Sequence, residues 1–369
     1  MLFLLTFLAL YSGMNALVYF RARILLPDRW GAHFFLILFL ILMIAAPIAT
    51  RLLERSSFES AAKPIGTIGY YWMGFVFLSF CIFMAVGAIG LVSRLLNALL
   101  NTNLPSLHGA PTTLVAFASV FAICLYGHME AHRIRSERVQ IKSDRLPQGI
   151  QRLKVAQISD VHLGIINGKA HLESIVKLLL AEHPDLLVST GDLVDGDMAQ
   201  DGEIHELFNR IQPPFGKYAV TGNHEFYAGL AQALQTIERS GFRVLRGEGI
   251  AITGVMNIVG VDDPTIKSAT GETSLLTSSR NGLFTLFLKH RPEVPEESQG
   301  LFDLQLSGHT HLGQIFPFRF VTGMVYPKQN GLYELAGGSK LYTSRGSGTW
   351  GPPLRVLAPP EVTIIELFR

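Results

Sequence analysis

An α/β domain of two packed sheets with helices outside, preceded by about four transmembrane helices, is the fold the sequence predicts. Three observations predict it. Four long apolar runs, almost free of charge, fill the first third of the chain. From Leu153 onward short apolar strands alternate with amphipathic helical stretches. Polar clusters stand just past the ends of those strands, where open α/β sheets place their sites.

The composition agrees with a membrane chain. Only 16% of the 369 residues are Asp, Glu, Lys or Arg, 49% are hydrophobic, and the mean hydropathy is +0.31. A formal charge of +2, with no aromatic and basic stripe, gives no reason to expect a nucleic-acid partner. Cys81 and Cys124 lie in apolar runs and cannot form a zinc cluster by spacing.

The first run, Leu2 to Phe20, ends at Arg21 and Arg23 and has no basic residue before it, so it reads as a retained helix rather than a secretory signal. The second, Ala32 to Thr50, is closed by Arg51 and Arg55. Pro47 near its end is expected to kink or terminate that helix. The third, from about Ile68 to Val92, and the fourth, from about Pro111 to Gly127, contain no Asp, Glu, Lys or Arg.

Basic residues flanking spans favour the cytoplasmic side. Arg51, Arg55, Lys63, Arg133, Arg135, Arg138, Lys142 and Arg145 outnumber Arg21, Arg23, Arg29 and Arg94 on the opposite side. The expectation is an integral, multi-pass membrane protein with its carboxy-terminal domain cytoplasmic, although Arg21 and Arg23 pull the other way at the first helix. The predicted organisation is a transmembrane region over 1–130, a basic juxtamembrane linker over 131–150 able to lie against anionic headgroups, and a domain over 151–369.

Within that domain Lys154 to Ser159 reads as a buried strand with Asp160 and His162 at its carboxyl end. Leu172, Ile175, Val176 and Leu179 follow at helical spacing. The strand Asp185 to Thr190 delivers Asp192 on a glycine-bracketed turn, Gly191 to Gly196. After a second amphipathic stretch carrying Ile204, Leu207, Phe208 and Ile211, the strand Lys217 to Thr221 ends in Gly222-Asn223-His224-Glu225. Beyond the helix around Leu234, the segments Ile250 to Val261, Leu283 to Leu288, Leu304 to Ser307, Lys340 to Ser344 and Val362 to Leu367 read as strands. His290 and Gly308-His309-Thr310-His311 complete the polar clusters.

A two-metal hydrolytic site needs two cations about 3.5 to 4 Å apart, held by carboxylate, imidazole and amide oxygen ligands around a shared water. The clusters contain that mixture. Asp160, His162, Asp192 and His311 would make one site, and Asp192, Asn223, His290 and His309 the other. Each metal would lower the pKa of the shared water and so make hydroxide available near neutral pH. His224, beside a proposed ligand but left free, could give a proton to the leaving oxygen. The cofactors expected are two divalent ions, with manganese, zinc, iron and cobalt all compatible with mixed oxygen and nitrogen ligands.

Singly each cluster is weak, because Gly-Asp marks many turns and Asp-x-His occurs by chance. Their ordered combination resembles the five signature blocks of the calcineurin-like metallophosphoesterase superfamily: D-x-H at Asp160 and His162, GDxxD at Asp192 and Asp195, GNHE at 222–225, His290, and GHTH at 308–311. The resemblance runs over nearly all of Leu153 to Phe368. It implies a four-layer α/β/β/α sandwich, the ligand division above, and His224 as a catalytic histidine that binds no metal. The ending Leu341-Tyr-Thr-Ser-Arg-Gly-Ser-Gly-Thr-Trp-Gly-Pro-Pro-Leu-Arg is similar to the membrane-associated YkuE/YaeI-like subgroup, from which the four spans depart.

Other residues are read more plainly. Asp195 shapes the turn behind Asp192, and Asp262 and Asp263 are turn formers before Pro264. Arg345, after a strand and before Gly346, is a candidate contact for a substrate phosphate through its bidentate fork. Phe226, Tyr227 and Trp350 are read first as core packing, with an apolar rim for a lipid chain as the alternative.

Two functions follow. The first is a membrane-anchored hydrolase of phosphoester bonds, phosphodiester or pyrophosphate, acting on a phosphorylated substrate, with a lipid-linked one as a candidate, among membrane lipids. The second is a non-catalytic membrane scaffold or transporter accessory whose phosphoesterase-like domain only binds metal. The complete ligand set together with His224 favours the first.

Overall fold

The computed structural model describes residues 2–54, 56, 58–196, 202–265 and 271–369, without the side chains of residues 2, 3 and 59. Arg55, counted above among the flanking charges, lies outside the described residues. The chain divides into two compact units, residues 1–129 with 351–354, and residues 130–350 with 355–369.

Four helices, α1 (Leu2–Ala22), α2 (Trp30–Glu54), α3 (Glu59–Leu100) and α4 (Ala110–Ala131), are long and apolar enough to cross a membrane. Two differ from expectation. α2 continues through Pro47 to Glu54, so the proline does not end the helix. α3 has 42 residues rather than the shorter apolar core, a length of about 63 Å that exceeds a hydrocarbon layer of about 30 Å. Tyr11, Val18, Leu40 and Val76 are buried together in this unit. Trp72 Nε1 donates to Asn15 Oδ1 at 2.9 Å, and Asn15 Nδ2 donates to the Tyr11 carbonyl at 2.9 Å, so the buried amide is satisfied inside the bundle. A side chain at Gly69 would reach 2.7 Å from Ala46 Cβ, which is the close approach that small residues permit between spanning helices.

The second unit holds two six-stranded sheets. The first is built from β1 (Arg135–Lys142), β2 (Arg152–Ile158), β3 (Leu186–Ser189), β4 (Lys217–Ala219), β5 (Arg243–Val244) and β12 (Glu361–Phe368), in the order β1-β12-β2-β3-β4-β5. The second is built from β6 (Glu248–Ile252), β7 (Met256–Gly260), β8 (Thr285–Leu288), β9 (Leu304–Ser307), β10 (Gly331–Glu334) and β11 (Lys340–Thr343), in the order β10-β11-β9-β8-β7-β6. Strands β2 to β5 run parallel, as do β7, β8, β9 and β11, so the carboxyl ends of β2, β3, β8 and β9 each deliver a polar cluster.

Alternation along the strands makes the layers. In β3, Leu187 faces the helices α5 (Lys169–Glu182) and α6 (Gly202–Asn209), where it meets Leu172, Ile175, Leu179, Ile204 and Phe208. Its neighbours Leu186 and Val188 face the other sheet and meet Leu286, Leu288, Leu304 and Leu306. Two short helices, α7 (Asn223–Ala228) and α8 (Leu230–Arg239), follow β4. On the far face of the second sheet α9 (Glu272–Ser278) packs Leu275 and Leu276 on Val259, Phe287 and Phe302. The result is the expected α/β/β/α stack, and burying each large aliphatic side chain in it stabilises by about 1.5–3 kcal/mol.

The segment read as a basic linker is different. Residues 135–142 form β1, paired in parallel with β12 from Arg135↔Glu361 to Lys142↔Phe368. Val139 and Ile141, at alternate positions, enter the core between the sheets. Its basic side chains are matched by acids far along the chain: Arg138 reaches Glu182 at 2.7 Å and Glu366 at 3.1 Å. Charge count alone therefore concealed a strand whose partners are nonlocal.

Candidate metal centre

The clusters converge on one place at the strand ends. Asp160 N donates to the Gly191 carbonyl and His162 N to the Asp192 carbonyl, both at 3.0 Å, so the turns after β2 and β3 lie side by side. The backbone is left-handed at Asp160, His162, Asp192, His309 and His311, with φ between 48° and 72°. Such φ values are uncommon outside glycine, and here they aim side chains from short turns at a common point. Gly308 is required for the same convergence: a Cβ there would lie 1.9 Å from Ser159 Oγ and 2.2 Å from Asp160 Oδ2.

The side chains form overlapping groups that could hold metal ions. Asp160, His162 and His311 make one and Asp192, His290 and His309 another, with each group's candidate ligand atoms within 4.8 Å of one another. A third group, His162, Asp192 and His224, overlaps both. Asp192 Oδ2 lies 3.2 Å from His290 Nε2 and 3.9 Å from His162 Nε2, which places it between the two sides. His162 Nε2 faces His311 Nε2 at 3.1 Å, and His290 Nε2 faces His309 Nδ1 at 3.0 Å. Asn223 Oδ1 is buried without a partner. Facing imidazole nitrogens, carboxylates and an orphaned amide oxygen are a donor set that fits borderline divalent cations.

Outer contacts orient these groups. His290 Nδ1 lies 2.8 Å from the Thr190 carbonyl, and Ser159 Oγ donates to Asp160 Oδ2 at 2.6 Å. His309 N donates to the Asp160 carboxylate at 3.0 Å. His224 N donates to Asp192 Oδ1 at 2.8 Å, while His224 Nδ1 pairs with Asp195. Asp195 therefore does more than shape a turn: it fixes the imidazole of His224 and lies 3.4 Å from His162 Nδ1.

Electrostatics follow from this crowding. Burial pushes the Asp192 carboxyl up, but His290, His224 and His162 together hold it well below the usual range. Burial lowers His290, yet Asp192 and Asp160 raise it to about 10. Burial and the His290 charge bring His309 down to about 3. For His224 burial is outweighed by Asp192 and Asp195, and the result is about 9.

Arg345 does not join the cluster. Its guanidinium donates to the Pro359 carbonyl at 3.0 Å and to Glu137 at 2.8 Å, and it pairs with buried Glu361, which ties β1 to β12. The arginine beside the cluster is Arg355. It is fully buried, donates to the carbonyls of Arg345 and His311 at 2.8 and 3.1 Å, and places Nη2 3.1 Å from His311 Nδ1. Burial lowers its pKa to about 9. Two further residues were missed. Glu225 accepts backbone hydrogen bonds from Gly222, Asp192 and Leu193 at 2.7, 3.0 and 2.7 Å. Tyr326 places its hydroxyl 3.1 Å from His309 Nε2. Glu225 was visible within the GNHE block and Arg355 closes the Gly-Pro-Pro-Leu-Arg stretch quoted for the subgroup, though with no role attached, whereas nothing local marks Tyr326. Tyr227 and Trp350 are half-exposed and set edge-on to His224, with ring centroids 5.3 and 5.6 Å away, so the apolar-rim reading describes their placement better than core packing.

A double-sheet α/β sandwich with a buried His, Asp and Asn cluster at its strand ends is the architecture of a metal-binding phosphoesterase. The family model described as calcineurin-like phosphoesterase matches residues 153–313. An uncharacterized metallophosphoesterase of Aquifex aeolicus is 38% identical, over 66% of this chain and 95% of its own length. The chain belongs to the calcineurin-like metallophosphoesterase family. The uncharacterized metallophosphoesterase YkuE of Bacillus subtilis is 33% identical over 65% of this chain and 87% of its own length. A transmembrane protein with metallophosphoesterase domain from Danio rerio is 27% identical over 69% of this chain and 62% of its own length. With four apolar helices and relatives named as transmembrane proteins, the chain reads as a membrane protein.

Proposed function

We propose that the chain is a membrane-anchored, metal-dependent hydrolase of phosphodiester or pyrophosphate bonds, with its catalytic domain on the cytoplasmic side and a lipid-linked phosphate as its substrate. The observation that carries the hydrolase reading is the position of Asp192, with Oδ2 within 4 Å of a histidine from each side of the cluster. Asp160, His162, Asp192 and His311 would hold one divalent ion, and Asp192, Asn223, His290 and His309 the other. Bound there, two such ions supply an activated water and neutralise phosphoryl charge.

The chain's own residues do the rest. Asp195 fixes the His224 ring through Nδ1, which leaves Nε2 to give a proton to the departing oxygen. The half-exposed faces of Tyr227 and Trp350 beside that ring supply an apolar wall for the leaving group. The cytoplasmic placement rests on the flanking basic residues.

The test is metal stoichiometry on the detergent-purified full chain, followed by assays of aryl phosphomonoesters, aryl phosphodiesters and pyrophosphates with several divalent metals. Turnover with two metals per chain is the expected result. Full metal occupancy with no turnover on any of these classes would exclude the hydrolase.

A further inference from the structure

Among the described residues, α10 (Arg319–Val325) departs from the other α-helices of its unit, each of which buries part of one face. α6 buries Ile204, Leu207 and Phe208, and α9 buries Leu275 and Leu276, but α10 buries none of its residues. Met324 is 77% exposed, Val325 67% and Phe320 60%. Among the described residues from 130 onward, six of the ten exposed large hydrophobic side chains fall between Phe318 and Leu332, which makes this a patch rather than scattered exposure.

The side chains beside it are aromatic and basic. The Arg319 guanidinium lies over the rings of Phe316 and Phe320 at 5.6 and 5.5 Å, and Lys328 follows closely. No Asp or Glu occurs between Leu304 and Tyr333. Aromatic and aliphatic side chains flanked by arginine and lysine, on a stretch that itself carries no acid although Glu293 acts on Tyr326 at its end, suit the boundary between anionic headgroups and acyl chains. The domain is also tethered short, because only His132, Arg133 and Ile134 separate the end of the fourth apolar helix from strand β1. Three residues span about 10 Å at most.

The helix is fastened to the metal cluster. Tyr326, directly after it, meets His309 Nε2 at 3.1 Å. Gln329 Nε2 donates to the Arg319 carbonyl at 3.2 Å, and Thr310, between His309 and His311, donates to the Gln329 carbonyl at 2.7 Å. A Cβ at Gly313 would lie 2.3 Å from Arg319 N, so the helix start sits tightly on the turn that carries His311.

We propose that α10 is a lipid-docking element whose face of Phe320, Val321, Met324 and Val325 enters the headgroup and acyl boundary of the bilayer. Docking sets the His309 side of the cluster at the lipid surface, where a phosphoester on a lipid headgroup is met without leaving the membrane. The docking itself is independent of catalysis; only its consequence for substrate rests on the phosphoesterase reading.

The experiment uses the full chain with Cys81→Ala and Cys124→Ala, a single environment-sensitive fluorophore on Met324→Cys, and a parallel sample on Val325→Cys. A probe on Glu297→Cys, an exposed position in the same unit, is the aqueous reference. The protein is reconstituted in vesicles of phosphatidylcholine and phosphatidylglycerol. Expected are a blue shift at 324 and 325, loss of intensity with a lipid spin-labelled near the headgroup, and protection from aqueous iodide, while 297 stays iodide-accessible. Iodide quenching at 324 and 325 equal to that at 297 overturns the proposal. Protection that rises with protein density and ignores the lipid quencher marks a second copy as the occupant and also overturns it. Lipid quenching at 324 in a chain that hydrolyses no phosphate supports the docking while removing the hydrolase reading, so the two fail separately.

Discussion

The carboxylate of Glu225 receives the backbone N–H of Asp192 at 3.0 Å while also closing on Gly222 at 2.7 Å, so one buried acid clamps the GDxxD turn to the start of the GNHE helix. Removing it leaves several buried N–H groups without acceptors. Glu225→Ala is expected to cost about 2–4 kcal/mol of stability, read by chemical denaturation in detergent. Metal content should fall with it, because the turn that positions Asp192 is released.

Asp192 and His224 separate metal retention from chemistry. Asp192→Asn is expected to abolish turnover and deplete both metals, as read by elemental analysis. His224→Ala should retain both metals and slow turnover by about 10²–10⁴-fold. Full activity in either variant would refute the role assigned to that residue.

Asp195 acts on His224 without entering the proposed ligand sets. Asp195→Asn keeps the shape but weakens its hold on the imidazole, and a decrease in kcat of about 10–100-fold with unchanged metal content is expected. A comparable loss of metal would make Asp195 a ligand instead.

His171 gives a pH signature away from the cluster. Its Nε2 lies 2.9 Å from the Ser347 carbonyl, and burial, reinforced by His132 and Arg355, brings its pKa from 6.5 to about 4. Below pH 6.5 the unfolded chain takes up a proton that the folded chain refuses until about pH 4. Stability contributed here is therefore present above pH 6.5 and lost as pH falls through that window, by no more than about 3 kcal/mol. In His171→Gln the slope of melting temperature against pH between 4 and 6.5 should flatten.

Most of the cluster was legible because each turn carries its side chains in a short block after an apolar strand, and strand ends in such sheets converge. Asp160, His162, Asp192, His224, His290, His309 and His311 all come from such blocks. The role of Arg355 was illegible for the opposite reason: the residue stood at the end of the quoted Gly-Pro-Pro-Leu-Arg stretch, but it approaches His311 across 44 residues, from a proline-rich segment with no periodic pattern. The alternation of Val139 and Ile141 was present in the sequence, but a count of nearby arginines obscured it. Arg345 looked available to substrate because Glu361 and Glu137, which occupy it, are distant in sequence or hidden in an apparent linker.

The pairing of β1 with β12 bears on where this protein could be divided. A soluble fragment starting at residue 151, the boundary suggested by charge and composition, would strip β1 from the sheet and bare one edge of Glu361-Val-Thr-Ile-Ile-Glu-Leu-Phe over eight residues. An uncovered apolar edge of that length invites pairing with other chains. Cleavage between Ala131 and Arg135 leaves the edge covered. Any protease that releases the domain intact must work within three residues of the last membrane helix, and a cut further along yields a fragment prone to aggregate rather than an enzyme set free.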